Sequence, residues 1–213
     1  MDYIFDILPS LLKGLETTLI IFFFTLIIAL PLGVFVSIGR LSKIGIINRI
    51  FQLYITLMRG TPLLLQIVFI YYGLPTVGIV FDRLIAVLIA FILNYAAYFG
   101  EILRGGIQSI DRGQNEASIV IGISKWNNFR FIILPQVIKR SITSVSNEII
   151  TLVKDTSLVS IVGMGEVLRA ANIASNRDAT LLPFLLAGII YLVVTALVAH
   201  ALMLIERRYK YYE

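Results

Sequence analysis

The chain has 213 residues, of which 58% are hydrophobic, and its mean hydropathy is +0.91. Soluble proteins average roughly 45–50% apolar residues, and the excess here falls in blocks about as long as a bilayer is thick, which predicts a polytopic membrane protein. The absence of cysteine and the single histidine, His200, exclude disulfides and thiolate or multi-histidine metal sites. The net charge of +5 would suit nucleic acid, but in a membrane protein lysine and arginine mainly set orientation, so we expect no nucleic-acid partner.

Five segments are long and apolar enough to cross the bilayer. A helix rises about 1.5 Å per residue, so about 20 apolar residues span roughly 30 Å of hydrocarbon. The sequence therefore predicts an all-α protein with five transmembrane helices in a single domain, residues 1–213. The predicted spans are residues 17–39, 51–73, 84–103, 143–162 and 181–205.

The fourth segment is doubtful by composition because it contains Glu148, Lys154 and Asp155. Charge distribution decides in its favour, since five spans with an outer N-terminus leave only Lys13, Arg83, Arg169 and Arg177 outside. The inner segments then hold the remaining loop cations: Arg40, Lys43, Arg49, Arg104, Arg112, Lys125, Arg130, Lys139, Arg140, Arg207, Arg208 and Lys210. Basic residues concentrate in cytoplasmic loops, so we predict an outer N-terminus and a cytoplasmic C-terminus.

The longest inner loop, residues 104–141, has the pattern of two short helices. The first runs from Gln114 to Ile121 and ends at Gly122. The second runs from Lys125 to Ile132, with Ser124 as its cap and Pro135 as its stop. Its aromatic residues, Trp126, Phe129 and Phe131, are expected on the surface. A docking surface for a partner protein and an amphipathic pair lying on the inner leaflet fit this pattern equally well.

The sequence "EASIVIGISKWNNFRFIILP", Glu116 to Pro135, resembles the EAA loop of permease subunits of ABC importers. That motif is Glu-Ala-Ala, three residues, Gly, nine residues, then Ile-x-Leu-Pro. Six positions are in register, and Ser118 in place of the second alanine is the one departure. Three further stretches, residues 58–75, 94–110 and 152–169, look like the polar amino acid branch of these permeases. The matches in register are Glu116, Ala117, Gly122, Ile132, Leu134 and Pro135.

The resemblance implies a type I importer core of five helices per subunit, with a second copy or a paralogue completing the pore. The loop would be the coupling helix that seats in an ATP-hydrolysing subunit, and an external solute-binding protein would deliver a polar amino acid. The membrane would be a bacterial or archaeal plasma membrane. ATP and Mg would bind the partner, leaving this chain without a cofactor, catalytic residue or metal ligand. We assign ATPase coupling to Glu116, Ala117, Gly122, Lys125, Trp126, Phe129 and Pro135.

The chain itself lacks a phosphate-binding P-loop, which needs Gly-x4-Gly-Lys-Ser/Thr so that backbone N–H groups and the lysine hold the phosphates. Gly73 and Gly78 have the glycine spacing, but Ile79 and Val80 follow them. We therefore expect a transport subunit that is not itself an enzyme.

Ionisable groups at bilayer depth are costly and point to a pathway or site. Asn94, Tyr98 and Glu101 share one face of the third span. On the fourth span, Glu148, Thr151 and Asp155 lie along one helix face. Asn147, Thr151 and Lys154 lie along the adjacent face. These two polar helices predict a wet cavity. Lys154 would meet a substrate carboxylate, and one of the three carboxylates would meet its ammonium. The excess of carboxylates favours cationic amino acids such as arginine, lysine or histidine over neutral glutamine.

Other interpretations of the same residues stay open. Lys154 and Asp155 could simply pair to hold helices together or form a gate. At Arg59, either Gly60 and Pro62 break the helix, or the helix begins late and leaves Arg59 at the inner interface, which we favour. A proton-coupled secondary transporter, with Glu101 or Asp155 as its proton site, and a membrane scaffold whose intramembrane charges only hold it together are the rival functions.

Overall fold

The computed structural model describes residues 2–209, so Met1 and residues 210–213, with Lys210 of the C-terminal basic cluster, lie outside the described part. Within it the chain is helical and contains no strand, as the sequence predicts. The α-helices are α1 (Asp2–Arg40), α2 (Gly45–Gly60), α3 (Leu63–Val68), α4 (Arg83–Gln108), α5 (Arg112–Val120), α6 (Lys125–Asn128), α7 (Leu134–Asp155), α8 (Val167–Asp178) and α9 (Leu182–Tyr209).

Three of these helices, α1, α4 and α9, are each long and apolar enough to cross a membrane. Two bent helix pairs within residues 2–209 bring the number of candidate spans to five if each pair counts as one: Gly45–Gly60 with Leu63–Val77, and Lys125–Val162 with Val167–Asp178. Short turns extend the α-helices inside these pairs. They are the π-turns Phe69–Gly73 and Phe129–Ile133 and the 3-10 turns Leu74–Val77 and Thr156–Val162.

Helix α1 begins 15 residues before the predicted span starts at Thr17 and extends for 39 residues, about 58 Å at the usual rise. Its first turns pack on another helix: Ile7 and Leu11 are buried against Ala171 of α8. The Tyr3 hydroxyl donates a hydrogen bond to Asp178 Oδ2 at 2.8 Å. The polar residues at the start of the chain therefore do not prevent a helix, because α8 covers the apolar face of these first turns of α1.

Helix α8 is attached to the bundle through a buried carboxylate. Glu166 is fully buried at the N-cap of α8, where its oxygens accept hydrogen bonds from the Leu168 and Arg169 amides at 2.6 Å. The same carboxylate accepts a third bond from the Tyr191 hydroxyl of α9 at 2.8 Å. Three donors satisfy a charge that burial would otherwise make costly, so Glu166 both caps one helix and joins it to the next.

The second predicted span, residues 51–73, is broken. Helix α2 starts at Gly45 and ends at Gly60, and α3 starts after Pro62 at an angle of 103°. Pro62 has no amide hydrogen to continue the helix, and Thr61 is extended, with φ −120° and ψ 144°. The break at Gly60 and Pro62, one of the two interpretations left open, is confirmed, and Arg59 lies in the last turn of α2.

The predicted stop at Pro135 is also wrong. The chain is helical from Lys125 to Val162 without a gap, and Leu134, just before the proline, has helical dihedrals of −57° and −44°. The reason is the π-turn Phe129–Ile133, in which the Leu134 amide bonds to the Phe129 carbonyl. This wider turn places Pro135 at the first turn of α7, where its missing N–H does no harm.

Helix α4 forms the centre of the bundle. Its buried residues include Phe91, Tyr95 and Phe99, which belong to the largest apolar cluster together with residues of α1 and α7. The backbones of α1 and α4 approach closely at Gly33, where an added Cβ would lie 2.6 Å from Phe99 Cβ and 3.1 Å from the Gly100 nitrogen.

We expect Gly33→Ala to lower the free energy of unfolding by about 1–3 kcal/mol, because the new methyl group overpacks the contact between α1 and α4. The measurement is the thermal unfolding midpoint of the purified chain in detergent. The matched control is Gly188→Ala, an exposed helical glycine on α9 with nothing within 4 Å of an added Cβ. An equal loss in both variants would show that the α1–α4 contact is not the cause.

Candidate functional site

A polar cavity of about 590 Å³ lies where the break between α2 and α3 meets α4 and α7. Arg59 and Thr61 come from the break, and Leu158 follows α7. Five of the seven residues predicted to line the substrate pathway do line this cavity. They are Asn94 and Tyr98 of α4 and Glu148, Thr151 and Asp155 of α7.

Two side-chain amides hold the broken helix. The Asn94 Nδ2 donates to the Met58 carbonyl at 2.9 Å and to Gln66 Oε1 at 3.1 Å. The Gln66 Nε2 in turn donates to the Met58 carbonyl at 2.9 Å and to the Thr61 carbonyl at 3.2 Å and hydroxyl at 2.8 Å. A broken helix leaves carbonyls without their usual partners, and these amides satisfy them. Asn94 therefore shapes the cavity wall as well as lining it.

Arg59 belongs to the cavity. Its guanidinium lies 5.0 Å from the centre of the Tyr98 ring, and its Nη1 is 3.9 Å from Glu101 Oε1. Glu101 is held more tightly by Arg104, whose Nε and Nη2 donate to the two carboxylate oxygens at 2.7 and 2.6 Å. Glu101 is not among the residues that line the cavity. Its charge is already matched by Arg104, and this leaves the Arg59 cation available to the cavity.

The two cavity carboxylates have a different environment from Glu101. Asp155 Oδ2 accepts a hydrogen bond from the buried Tyr95 hydroxyl at 2.8 Å. Among residues 2–209 neither Glu148 nor Asp155 forms an ion pair. Lys154 is exposed, does not line the cavity and forms no ion pair with Asp155. The polar surface of the cavity thus combines one guanidinium with two carboxylates.

This set of groups suits a zwitterion with an extra positive charge. A guanidinium binds a carboxylate through parallel hydrogen bonds, and carboxylates accept bonds from ammonium or guanidinium groups. Thr151 and Tyr98 add hydroxyls at the same surface. The low polarity of the surrounding helices strengthens each of these interactions relative to water.

Sequence reasoning missed two residues of the site and misplaced a third. Gln66 is the only polar residue in the run "LLLQIV" just after Pro62, and an isolated amide at that depth is itself a signal of function or structure. Tyr95 gave no such signal, because one tyrosine next to Asn94 resembles any core aromatic. Arg59 lines the cavity, whereas the favoured interpretation, a helix that begins late, placed it at the inner interface.

The loop between α4 and α7 is built around buried polar contacts. Gly122 has φ +74°, which favours glycine, and it ends the first short helix as predicted. The Ser124 hydroxyl caps α6 by accepting from the Asn127 amide at 3.3 Å. The Ser118 hydroxyl donates to Asn128 Oδ1 at 2.8 Å, and both side chains are buried. Ser118, the departure from the motif, therefore joins the two short helices.

The exposed surface of this loop is rich in apolar side chains. Val120 is 85% exposed, and Ile119, Ile121, Trp126 and Phe131 each expose more than 60% of their surface. All seven residues assigned to ATPase coupling are exposed: Glu116, Ala117, Gly122, Lys125, Trp126, Phe129 and Pro135. Contiguous exposed apolar side chains of this kind mark interaction surfaces.

The exposed loop and the polar cavity share one helical segment, Lys125–Val162. Trp126 lies near its start, and Glu148, Thr151 and Asp155 lie near its end. The loop and one wall of the cavity are therefore parts of the same continuous helical segment. These features together define the membrane subunit of a transporter.

The comparisons with known proteins agree. The family model described as the binding-protein-dependent transport system inner membrane component matches residues 29–211, and the chain belongs to this family. The probable amino-acid ABC transporter permease protein YckA of Bacillus subtilis (strain 168) is 35% identical over 205 residues, with 96% of this chain and 91% of the relative covered. The arginine transport system permease protein ArtQ of the same organism is 37% identical over 205 residues, with 95% and 94% covered.

Solved structures show the same fold. The crystal structure of an amino acid ABC transporter with histidines matches with a TM-score of 0.89 at 34% identity, covering 97% of both chains. The inward-facing MetNI methionine ABC transporter matches with a TM-score of 0.74 at 20% identity, covering 98% of this chain and 99% of that one, which supports the fold alone. The type I importer permease core and the resemblance to amino acid permeases are confirmed.

We expect Gln66→Leu to lower the free energy of unfolding by about 2–4 kcal/mol, because it leaves the Thr61 carbonyl without its donor and the Asn94 amide without its Gln66 acceptor, at roughly 1–3 kcal/mol each. The measurement is thermal unfolding in detergent. Gln136→Leu is the control, since Gln136 is a half-buried glutamine with one hydrogen bond, to the Ile132 carbonyl of its own helical segment. Equal unfolding midpoints for the Gln66 variant and the unmodified chain would contradict the role of the amide.

Proposed function

We propose that this chain is the permease subunit of an ATP-driven importer for polar amino acids in a bacterial or archaeal plasma membrane. Its N-terminus faces outwards and its C-terminus the cytoplasm. A second copy or a paralogue completes the pore, two ATPase subunits bind the loop from Glu116 to Pro135, and a solute-binding protein delivers substrate from outside. ATP and Mg bind the ATPase subunits, and this chain supplies neither a catalytic residue nor a metal ligand.

The observation that carries this proposal is the continuity of the segment Lys125–Val162. An exposed apolar surface at one end supports docking of a cytoplasmic partner, and cavity carboxylates lie at the other end. When ATP closes the ATPase pair, the loops of the two permease subunits move together. The attached α7 helices then shift one wall of each cavity, which changes access from the inside to the outside.

Substrate recognition is assigned to the polar cavity. Arg59 binds the α-carboxylate of the amino acid, a role that sequence reasoning gave to Lys154. Glu148 and Asp155 bind the α-ammonium group and a second positive charge, and Thr151 and Tyr98 contribute hydroxyls. Two carboxylates against one guanidinium favour a cationic amino acid such as arginine, lysine or histidine. The name of the relative ArtQ, an arginine permease, agrees with this preference.

A proton-coupled secondary transporter is the second candidate, favoured by one observation. Glu148 and Asp155 face the cavity without an ion pair among the described residues, and carboxylates in such positions can take up and release protons. The exposed apolar loop has no role in that mechanism. Uptake that follows a proton gradient in proteoliposomes without ATPase subunits would establish this function in place of the ATP-driven one.

We expect Trp126→Ala to weaken association with the ATPase subunits about 30-fold, because buried aromatic anchors contribute 2 kcal/mol or more at interfaces. The measurement is substrate-stimulated ATP hydrolysis in proteoliposomes that hold the permease and its co-purifying ATPase, titrated with ATPase. Phe5→Ala is the matched control, since Phe5 is 67% exposed and Trp126 65%, but Phe5 lies at the opposite end of the bundle by the proposed topology. An unchanged ATPase titration in the Trp126 variant would show that the loop is not the docking surface.

We expect Glu148→Gln and Asp155→Asn each to raise the dissociation constant for arginine about tenfold or more, since hydrogen bonds to charged groups contribute about 1.5–3 kcal/mol. Asparagine still accepts the Tyr95 hydroxyl bond, so folding is preserved. The measurement is equilibrium binding of labelled arginine to the permease–ATPase complex without the binding protein. Asp82→Asn, an exposed carboxylate outside the cavity, serves as control. Arginine binding that survives both cavity substitutions would contradict the assigned site, and stronger binding of glutamine than of arginine would contradict the cationic preference.

A further inference from the structure

A second cavity, of about 770 Å³, lies where α1, α2, α4 and α7 meet beside the coupling loop. Its wall is made of apolar side chains such as Ile38, Phe51, Leu103 and Phe129. The only hydroxyls among the lining residues are those of Ser37 and Ser42. The Ser37 hydroxyl donates to the Val34 carbonyl at 2.7 Å, and the Ser42 hydroxyl accepts from the Ile44 amide at 3.2 Å. Both hydroxyls already form hydrogen bonds within the protein, so the cavity wall is suited to contact with hydrocarbon.

The cavity opens on an exposed apolar face of α1. Phe35 and Ile38, which line it from α1, are each 62% exposed and belong to the most apolar of the candidate spans. An exposed apolar rim on a candidate membrane span is chemically suited to contact lipid acyl chains. An acyl chain can therefore enter the cavity without dehydrating any polar group.

Two basic residues are chain neighbours of residues that line one end of this cavity. Arg40 lies between the lining residues Gly39 and Leu41 and is oriented by Asn48, whose Oδ1 accepts from Arg40 Nη1 at 2.7 Å. The exposed Lys43 follows the lining residue Ser42. No aspartate or glutamate occurs between Glu16 and Asp82, so the connection from α1 to α2 contains no acidic residue. Glu101 of α4 lies within electrostatic range of Arg40, but its carboxylate oxygens already accept hydrogen bonds from Arg104.

We propose that this cavity binds an anionic phospholipid of the inner leaflet, with an acyl chain along the apolar wall and the phosphate against Arg40 and Lys43. Basic pockets between helices on the cytoplasmic side are suited to anionic headgroups. The choice of leaflet rests on the proposed cytoplasmic position of the loop from Glu116 to Pro135, but the binding site itself does not depend on ATP-driven transport.

The bound lipid connects the membrane to the coupling loop. The π-turn that joins α6 to α7 begins at Phe129, and the Leu134 amide bonds to the Phe129 carbonyl at its end. Both residues line the cavity. An acyl chain packed between these side chains and α1 adds contacts to the turn through which loop movement reaches the polar cavity. Anionic lipid thus stabilises the loop in a fixed position against α1.

The single tryptophan of the chain gives a direct measurement. The Trp126 ring centre is 6.3 Å from that of Phe129, and Trp126 is the only tryptophan in the sequence. Phosphatidylglycerol with brominated acyl chains is titrated into the full-length chain in a neutral detergent, and quenching of tryptophan fluorescence is recorded. Phosphatidylcholine with the same brominated chains is the comparison. We expect phosphatidylglycerol to bind about 25-fold more tightly, since each cation near the phosphate contributes about fivefold.

Three variants test the site. Lys43→Gln should weaken phosphatidylglycerol binding about fivefold and leave phosphatidylcholine unchanged. Arg49→Gln removes the same charge from the opposite face of α2, two residues from both Ile47 and Phe51, and should change neither. Ile38→Phe fills part of the cavity and should reduce quenching by both lipids.

Each opposite result overturns the proposal. Equal quenching by both lipids shows that the anionic headgroup contributes nothing to binding. Equal losses in the Lys43 and Arg49 variants show attraction to general surface charge only. Quenching that persists unchanged in the Ile38 variant shows that the bromines reach Trp126 from outside the cavity. Because no ATPase takes part, these results are independent of whether the proposed transport function is right.

Discussion

The helix break at Gly60–Pro62 is the constraint on which the site depends. Carbonyls released by such a break cannot be left unbonded in hydrocarbon, so a break persists where neighbouring side chains or a polar cavity supply donors. Asn94 and Gln66 supply them, with bonds to the Met58 and Thr61 carbonyls. The 103° bend then places Arg59 and Thr61 against α4 and α7. Without the two amides the cavity would have neither its shape nor its cation.

A second constraint acts on the other wall of the cavity. Pro135 would ordinarily end a helix, but the π-turn before it supplies the extra residue that lets the chain continue from the loop into α7. The π-turn disturbs the helical hydrogen-bond pattern only locally. The continuous helix that it allows reaches Asp155, twenty residues beyond Pro135. The motif residues at Leu134 and Pro135 therefore have a mechanical role in joining the exposed loop to α7, in addition to any direct contact with a partner.

The sequence predicted what depends on periodicity and composition. Asn94 and Tyr98 on one helix face, and Glu148, Thr151 and Asp155 on another, do meet at one cavity, because straight helices preserve the spacing of their residues. It failed at Pro135, since no periodicity describes a π-turn. Near Arg59, Gly60 and Pro62 indicated the break, but composition alone did not decide between the break and a helix that begins late. Glu101 was grouped with the site by its spacing alone, although Arg104 three residues later was a visible partner for it.

The charges around Arg59 also explain how one cation can serve both structure and binding. Glu101 holds Arg104 through two short hydrogen bonds and lies 3.9 Å from Arg59. Arg59 therefore has a compensating negative charge nearby, which lowers the cost of keeping a guanidinium at this depth. Because that carboxylate is already bonded to Arg104, it competes weakly for Arg59. In the proposed function, a substrate carboxylate therefore binds Arg59 without breaking an optimal ion pair, while the guanidinium stays over the Tyr98 ring, 5.0 Å from its centre.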